Sequence, residues 1–462
     1  MIEYYLKYNI KNIKSNIAKL VIELETILTI ENIKLEKNNK EYYIELKNSI
    51  ELNLYNKLCD LIYTINKNKN KYPFLEKYFK PKEDIKEVKF SFADLFAGCG
   101  GLSLGLEQAG FKGVFVNEID ETFAETHYFN HNIPISNYYV GDINQLITNF
   151  SSVKTNLKEL DLVCGGPPCQ GFSSANRQRV IDDPRNNLYK SYLKFLQETK
   201  PKFFIMENVK GMKNKIDEIL SDFNDFLDND YNIHYSVLNA KDFGLPQNRE
   251  RFFIIGNRIG IETKTIFDDI KNEKIINKFV LKNAINGLPV LKPKNIKNNN
   301  EVENVDFGFY ITHQETWKDQ YLDFINNSRD IKFVFNHKNR YNNERDIEIF
   351  TKLPQGKNSL HKSIADIMPY ASRNHMFKDK YYKLDETKVC KTITSHMKFD
   401  CNMYIHPTQS RGLSPREAAR VQTFPDDFLL RGSQNKWYAQ VGNAVPVKLA
   451  ELIGKHIIKY LK

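Results

Sequence analysis

Asp94-Leu95-Phe96-Ala97-Gly98-Cys99-Gly100-Gly101 joins an apolar run to a helical one through a glycine-rich turn. Such a turn lets a ligand approach both the backbone and the N-terminus of the helix that follows. Outward from it the pattern alternates. Val88–Phe96 reads as a buried strand, Leu102–Gln108 as a helix closed by Gly110, and Gly113–Val116 as the next strand. Asp161–Cys164, Lys202–Met206 and Phe252–Ile255 are further short apolar runs of strand type. Strands alternating with helices predict an α/β fold, a doubly wound and mostly parallel sheet.

Glu118 stands twenty residues after Gly98, at the end of the next strand, where an acid can bind a ribose hydroxyl. Ser103 occupies the third glycine position of a G-x-G-x-x-G, so the nicotinamide or flavin fingerprint is incomplete. The turn by itself indicates a nucleoside-containing cofactor, and a nicotinamide oxidoreductase remains open at this point. Asp142, in Gly141-Asp142-Ile143, is a further polar group at a strand tip or a simple turn former.

A second stretch carries the chemistry: Gly165-Gly166-Pro167-Pro168-Cys169-Gln170-Gly171-Phe172-Ser173. Proline fixes φ and restrains the residue before it, so Cys169 is presented stiffly after a strand. A rigid thiol ahead of a glycine-containing loop suggests a nucleophile, although most free cysteines are core residues. Cys164, inside the apolar run, is read as such a core residue. Phe203-Phe204-Ile205-Met206-Glu207-Asn208-Val209 ends a strand in a carboxyl able to share a proton with a ring nitrogen. Gln247-Asn248-Arg249-Glu250-Arg251 places two arginines two apart, either a salt-bridged edge or a clamp for a carbonyl or phosphate.

The order of these blocks resembles that of the cytosine-5 DNA methyltransferases, of the bacterial restriction–modification type. Matching segments are Asp94–Gly101, Glu118, Gly141–Ile143, Gly166–Ser173, Asp183-Pro184-Arg185, Glu207-Asn208-Val209, Gln247–Arg251, Arg411–Phe428 and Gln440–Pro446. The resemblance implies a catalytic set of Cys169, Glu207, Arg249 and Arg251. Cys169 would attack C6 of a flipped-out cytosine, Glu207 would hold N3 and the amino group, and Arg251 would contact O2 with Arg249 beside it. It implies S-adenosylmethionine as cofactor, held by Asp94, Phe96, Gly98, Gly100, Gly101, Glu118, Asp142, Pro168 and Asn443. Double-stranded DNA is the implied partner. Gln170 and Ser173 lie in the loop that would close over the base. Asn336, His337, Arg340 and Arg345, in the irregular region, are candidate base or phosphate contacts. A tRNA cytosine-5 methyltransferase and a non-catalytic DNA-binding relative are the alternatives. Cys390-Lys391-Thr392 departs from the tRNA branch, and the intact Cys169, Glu207 and Arg251 argue against a dead module.

Composition bounds the rest. The chain has 462 residues, 41% of them hydrophobic and 27% charged, enough for two or three domains of a globular protein. A net charge of +10 permits an anionic partner, weakly, because lysine is abundant throughout. Six scattered cysteines without a C-x-x-C pair predict a reducing, cytoplasmic setting, no disulfide framework and no metal site. No signal peptide or membrane span is expected. Ile10, Ile13, Ile17, Leu20, Leu24, Ile27 and Leu28 recur at helical spacing, and a second helical stretch runs near Ile50 to Ile65. The expected organisation is a helical N-terminal extension over 1–87 and a catalytic domain over 88–274. A smaller irregular target-recognition domain over 275–400 follows, and 401–462 returns to complete the catalytic domain. A monomer, with a cognate restriction endonuclease in the same system, is the expected assembly.

Overall fold

The computed structural model describes residues 89–133, 137–150, 157, 160–168, 188–275, 278–296, 304–313, 319–329, 331, 333–369 and 380–462, plus four strand backbones nearer the N-terminus. The chain divides into two compact units after Lys86. In the first, β1 (Glu3–Asn9), β2 (Leu35–Asn38), β3 (Glu41–Leu46) and β4 (Phe74–Tyr78) form an antiparallel sheet of order β2-β3-β1-β4. The extension expected to be helical thus carries a sheet. Tyrosine and branched residues in Glu41-Tyr42-Tyr43-Ile44-Glu45-Leu46 favour the pleated surface. The two helical stretches read at Ile10–Leu28 and Ile50–Ile65 lie outside the described residues.

The second unit begins with β5 (Ser91–Leu95), α1 (Gly101–Ala109), β6 (Lys112–Glu118), α2 (Glu121–Asn130), β7 (Tyr138–Val140) and α3 (Ile143–Thr148). It continues through β8 (Leu162–Gly165), α4 (Leu188–Thr199), β9 (Phe203–Asn208), α5 (Ile216–Phe226), β10 (Asn232–Asn239), β11 (Gln247–Asn248) and β12 (Glu250–Asn257). The central sheet has the order β10-β12-β9-β8-β5-β6-β7. Pairings among β9, β8, β5, β6 and β7 are parallel, whereas β12 runs antiparallel to both β9 and β10. The chain leaves β5 toward β6 in one direction and returns on its other side with β8. That reversal opens a crevice at the carboxyl ends of β5 and β8, the place where doubly wound sheets bind ligands.

The strands carry apolar side chains on both faces, as a parallel sheet covered by helices requires. Phe92, Leu162, Cys164, Phe203 and Ile205 point into one core, and their neighbours Ala93, Leu95, Val163, Phe204 and Met206 into the other.

After α6 (Thr263–Asn272) and α7 (Leu281–Ile285) the rhythm is lost. β13 (Gly308–His313) pairs with β14 (Phe333–Lys338), with α8 (Gln320–Asn326) between them and α9 (Glu344–Lys352) after. β15 (Cys390–Lys391) pairs with β11, bringing this part back to the catalytic edge. The Ser414-Pro415-Arg416-Glu417 start signal opens α10 (Pro415–Val421) with a complete capping box. α11 (Gln434–Asn443) and α12 (Val447–Leu461) end the chain. α12 lies against α1 at Gly105, where an added Cβ would stand 2.4 Å from both Ala450 Cβ and the Val447 carbonyl. Among the described residues no helix is long and apolar enough to cross a membrane.

Candidate active site

The glycine-rich loop leaves β5 in an unusual backbone path. Phe96, Gly98 and Gly100 all have positive φ, at 57°, 59° and 92°. Such a path costs free energy and persists only where surroundings over-determine it. Ala97 N donates to Asn117 O at 3.0 Å, and Gly98 N donates to Glu118 Oε2 at 2.7 Å. The second Glu118 oxygen accepts from Asp120 N at 2.8 Å. Glu118 is thus a brace for the loop, with burial holding its carboxyl above the usual range. A Cβ at Gly98 would meet nothing within 4 Å, so open space lies over the loop. Gly101 lies against the returning chain, its would-be Cβ 2.6 Å from Val445 O. Ala444 Cβ lies 3.0 Å from the same point, and Asn443, the residue before it, is exposed. Asp142 caps α3 through Asn144 N, and Gly141 N donates to Glu118 O at 3.0 Å.

These residues suit a nucleoside carrying positive charge. The space over Gly98 is open where a side chain would otherwise stand, and the Glu118 carboxylate lies directly beneath it on Gly98 N. Among the described residues no cluster of side chains could hold a metal ion.

At the carboxyl end of β9, Glu207 Oε1 pairs with Arg251 Nε at 2.8 Å. Antiparallel pairing of Glu207 with Phe253 places Arg251, two residues earlier on β12, at that same edge. The two side chains keep 12% and 13% of their surface open, so they face a cleft rather than the core. Burial raises the Glu207 carboxyl against the pull of Arg251 and Arg249. A carboxyl poised in this way can share a proton with a bound ring nitrogen. Next to it runs the proline segment. A Cβ at Gly166 would sit 3.1 Å from Glu207 Oε2, and Asn208 Nδ2 donates to Pro167 O at 2.9 Å. Pro168 is exposed beyond that anchor. Cys169, Gln170 and Ser173 lie outside the described residues.

Arg249 does not share this edge, which corrects the reading of a two-arginine clamp. It is fully buried and donates to the carbonyls of Ile393 at 2.5 Å, Gly442 at 3.0 Å and Ala444 at 2.7 Å. Arg249 ties the C-terminal segment to the catalytic sheet.

Three of the four candidate DNA contacts are likewise structural. Asn336, with φ of 62°, exchanges two hydrogen bonds with the Leu430 backbone, at 3.0 Å each. His337 is buried between Ser414 Oγ at 3.0 Å and Pro289 O at 2.8 Å. Arg340 donates to Met397 O at 2.7 Å and to Phe399 O at 2.8 Å and stacks on Tyr438. Polar residue type alone cannot separate a groove contact from a buried brace. Arg345 remains exposed on α9.

Sequence reasoning also missed the buried polar groups that hold the returning chain. Arg411 forms a fork with Glu417 at 2.7 and 2.8 Å, and Arg420 one with Asp426 at 2.6 and 2.9 Å. Arg416 donates to the carbonyls of Phe335, Pro425 and Phe428. Asn130 exchanges hydrogen bonds with the Leu429 backbone at 2.8 Å each way. Three arginines on and before one short helix start were the available signal.

A doubly wound sheet with a glycine loop at its switch point, and a carboxyl–guanidinium pair beside a proline-led segment, define a Rossmann-like methyltransferase. The family of C-5 cytosine-specific DNA methylases matches residues 90–459, so the chain belongs to that family and is a DNA cytosine-5 methyltransferase. It is 32% identical over 378 residues to type II methyltransferase M.MthTI of Methanothermobacter thermautotrophicus, covering 81% of this chain and 99% of that one. It is 31% identical over 389 residues to M.DdeI of Desulfomicrobium norvegicum, covering 80% and 88%. A solved structure assigned as a DNA modification methyltransferase encoded within an E. coli prophage aligns with a TM-score of 0.61 at 26% identity. It covers 80% of this chain and 99% of that protein.

Proposed function

We propose that this enzyme methylates C5 of a cytosine turned out of duplex DNA, through a covalent bond between Cys169 Sγ and C6. The hydrogen bond from Asn208 to Pro167 O, with Glu207 close beside Gly166, carries the reading, because the next residues are Pro168 and Cys169. Cytosine C5 is a poor nucleophile until a thiolate adds at C6. That addition forms the S–C6 bond and moves the ring electrons toward N3, C5 becoming enamine-like. Glu207, raised by burial, shares its proton with N3 as charge collects there. Arg251, held by Glu207, presents its remaining N–H groups to the O2 carbonyl. After methylation a base takes the C5 proton, the C6–S bond breaks to release the thiolate, and N3 returns its proton to Glu207, restoring the aromatic ring.

S-adenosylmethionine, when bound by the 94–101 loop, Glu118, Asp142, Pro168 and Asn443, supplies an electrophilic methyl group. The target atom is unreachable inside a stacked duplex, which is why the base must leave the helix. Residues 170–186 would close over it. Residues 275–400 would read the sequence, and the type II names of the relatives support a modification role paired with a restriction endonuclease.

Labelled methyl transfer from S-adenosylmethionine to duplex DNA, with tRNA in parallel and bisulfite mapping, tests this. Label at C5 in one short recurring duplex sequence is the expected result. Label on tRNA alone, or on another cytosine atom, would overturn it.

A further inference from the structure

Beneath the glycine-rich loop lies a row of buried polar side chains that the methyl-transfer chemistry does not use. Ser103, where a dinucleotide fingerprint would have its third glycine, is fully buried, and its Oγ is 2.6 Å from Asp94 Oδ2. The same oxygen is 3.0 Å from His127 Nε2 on α2, and His127 Nδ1 is 2.8 Å from the Tyr138 hydroxyl on β7. His131 stacks on His127 with ring centroids 4.0 Å apart, and its Nδ1 reaches Glu107 Oε2 at 2.9 Å. The imidazole pair forms the floor of the loop. A Cβ on Gly100 would lie 2.2 Å from His131 Nε2 and 2.8 Å from His127 Cδ2.

Hydrogen counting gives the row a direction. A serine hydroxyl has one proton, and the ionised Asp94 can only accept, so Ser103 donates to Asp94. His127 Nε2 must then carry hydrogen and donate to Ser103 Oγ. Nδ1 of the neutral ring is left as acceptor for the Tyr138 hydroxyl. The chain runs Tyr138 to His127 to Ser103 to Asp94, every member donating in one sense, the arrangement in which successive hydrogen bonds polarise one another. We propose that this relay positions the glycine-rich loop for its ligand and couples it to the far side of the cleft at Val140-Gly141-Asp142. Its two ends are the strand tip that launches the loop and the strand that leads into Asp142. Ser103, His127 and Tyr138 are positioning residues, since none borders the open space over Gly98.

The groups facing the relay are Glu107 on α1, Glu118 on β6, Tyr128 and His131 on α2, and Cys164 on β8. Burial, together with His131, keeps His127 neutral, as the relay requires. Burial also lifts Asp94 to about 7, against the pull of Ser103 and Cys164. The relay therefore has its charged acceptor in full above about pH 7 and loses it as the pH falls below.

The inference rests on reading the loop as the S-adenosylmethionine site. Its test uses the full chain, with calorimetric titration of S-adenosylmethionine into wild type, Ser103→Ala, Tyr138→Phe and the double variant. Ser103→Ala is expected to weaken binding about tenfold and Tyr138→Phe roughly threefold, the farther link mattering less. The double variant should be no weaker than Ser103→Ala, since a broken relay cannot be broken again. Turnover at saturating cofactor should change less than about twofold, a loss confined to affinity. Ser103→Thr, which keeps the hydroxyl, should recover most of the loss. Unchanged affinity in Ser103→Ala, or a double variant showing the full product of the two losses, would overturn the relay. Long-range proton–nitrogen spectra of ligand-free wild type should place the His127 proton on Nε2, and a proton on Nδ1 would also overturn it. Wild type that fails to bind S-adenosylmethionine would remove the cofactor reading instead, while the tautomer still decides the relay.

Discussion

The open edge of the central sheet and the buried C-terminal segment are both built on arginines, and they use them in opposite ways. At the edge Arg251 holds one carboxyl, Glu207, and the pair keeps a fraction of its surface open to a cleft. Two residues away Arg249 has none of its surface exposed and three carbonyls bonded, as a clasp between the sheet and residues 393–444. Arg416 repeats the second pattern with three carbonyls, and Arg411 and Arg420, equally buried, each grip a carboxyl as well as a carbonyl. A guanidinium has five donors in a rigid fork, so it can recognise a ligand or staple a chain, and burial decides which. The arginine left facing the cleft is the one free to meet a ligand.

Breaking the edge should cost activity without stability. The largest effect is expected for Cys169→Ala, which should abolish methyl transfer while gel-shift binding of duplex DNA persists. Near wild-type transfer would refute the nucleophile. Glu207→Gln removes the shared proton and should lower kcat by about 10²–10³ with the melting temperature kept. Breaking the clasp should do the reverse. Arg249→Met leaves the Ile393 and Gly442 carbonyls without their arginine donor, Ala444 O keeping Gln422 Nε2, and should cost about 3 kcal/mol in chemical denaturation. Equal losses of stability in Arg251→Lys and Arg249→Met would erase the distinction between the two regions.

His337 sharpens the buried side of the comparison through pH. Burial lowers its imidazole from 6.5 to about 4. A depressed folded value means stability present above pH 6.5 and lost as pH falls from there toward 4, because the unfolded chain takes up the proton first. The stability difference between wild type and His337→Gln should therefore shrink over that window, as followed by urea titration at several pH values. The smallest effect belongs to Arg345, the exposed member of the four candidate DNA contacts. Arg345→Ala should weaken DNA binding a few-fold and reduce the salt dependence by about one ion. Asn336→Ala should instead act on stability, through its bonds to Leu430.

Much of the site was legible because it is local. The 94–101 turn, Glu118, the strand ending at Glu207 and the capping box at Ser414 are each written within a few consecutive residues. Strand and helix periods are local properties, so the alternating core could be read as well. The N-terminal unit was read less well. Its helical periodicities concealed a four-stranded sheet, whose pairing of Glu3–Asn9 with Glu41–Leu46 and Phe74–Tyr78 spans long stretches of chain.

By itself the sequence determined the doubly wound core and the family, since these follow from periods and short motifs. Tertiary structure alone decided which polar residues face the cleft and which brace the interior. Asn336, His337, Arg340 and Arg249 differ from Glu207 and Arg251 in nothing that composition or spacing records. They differ in the carbonyls and side chains brought to them by residues 48 to 195 positions away. The same holds for Ser103, which stands where a glycine was looked for and meets His127 and Asp94 only once α1, α2 and β5 have packed. Burial, a property of the whole fold, converts one side-chain chemistry into two roles.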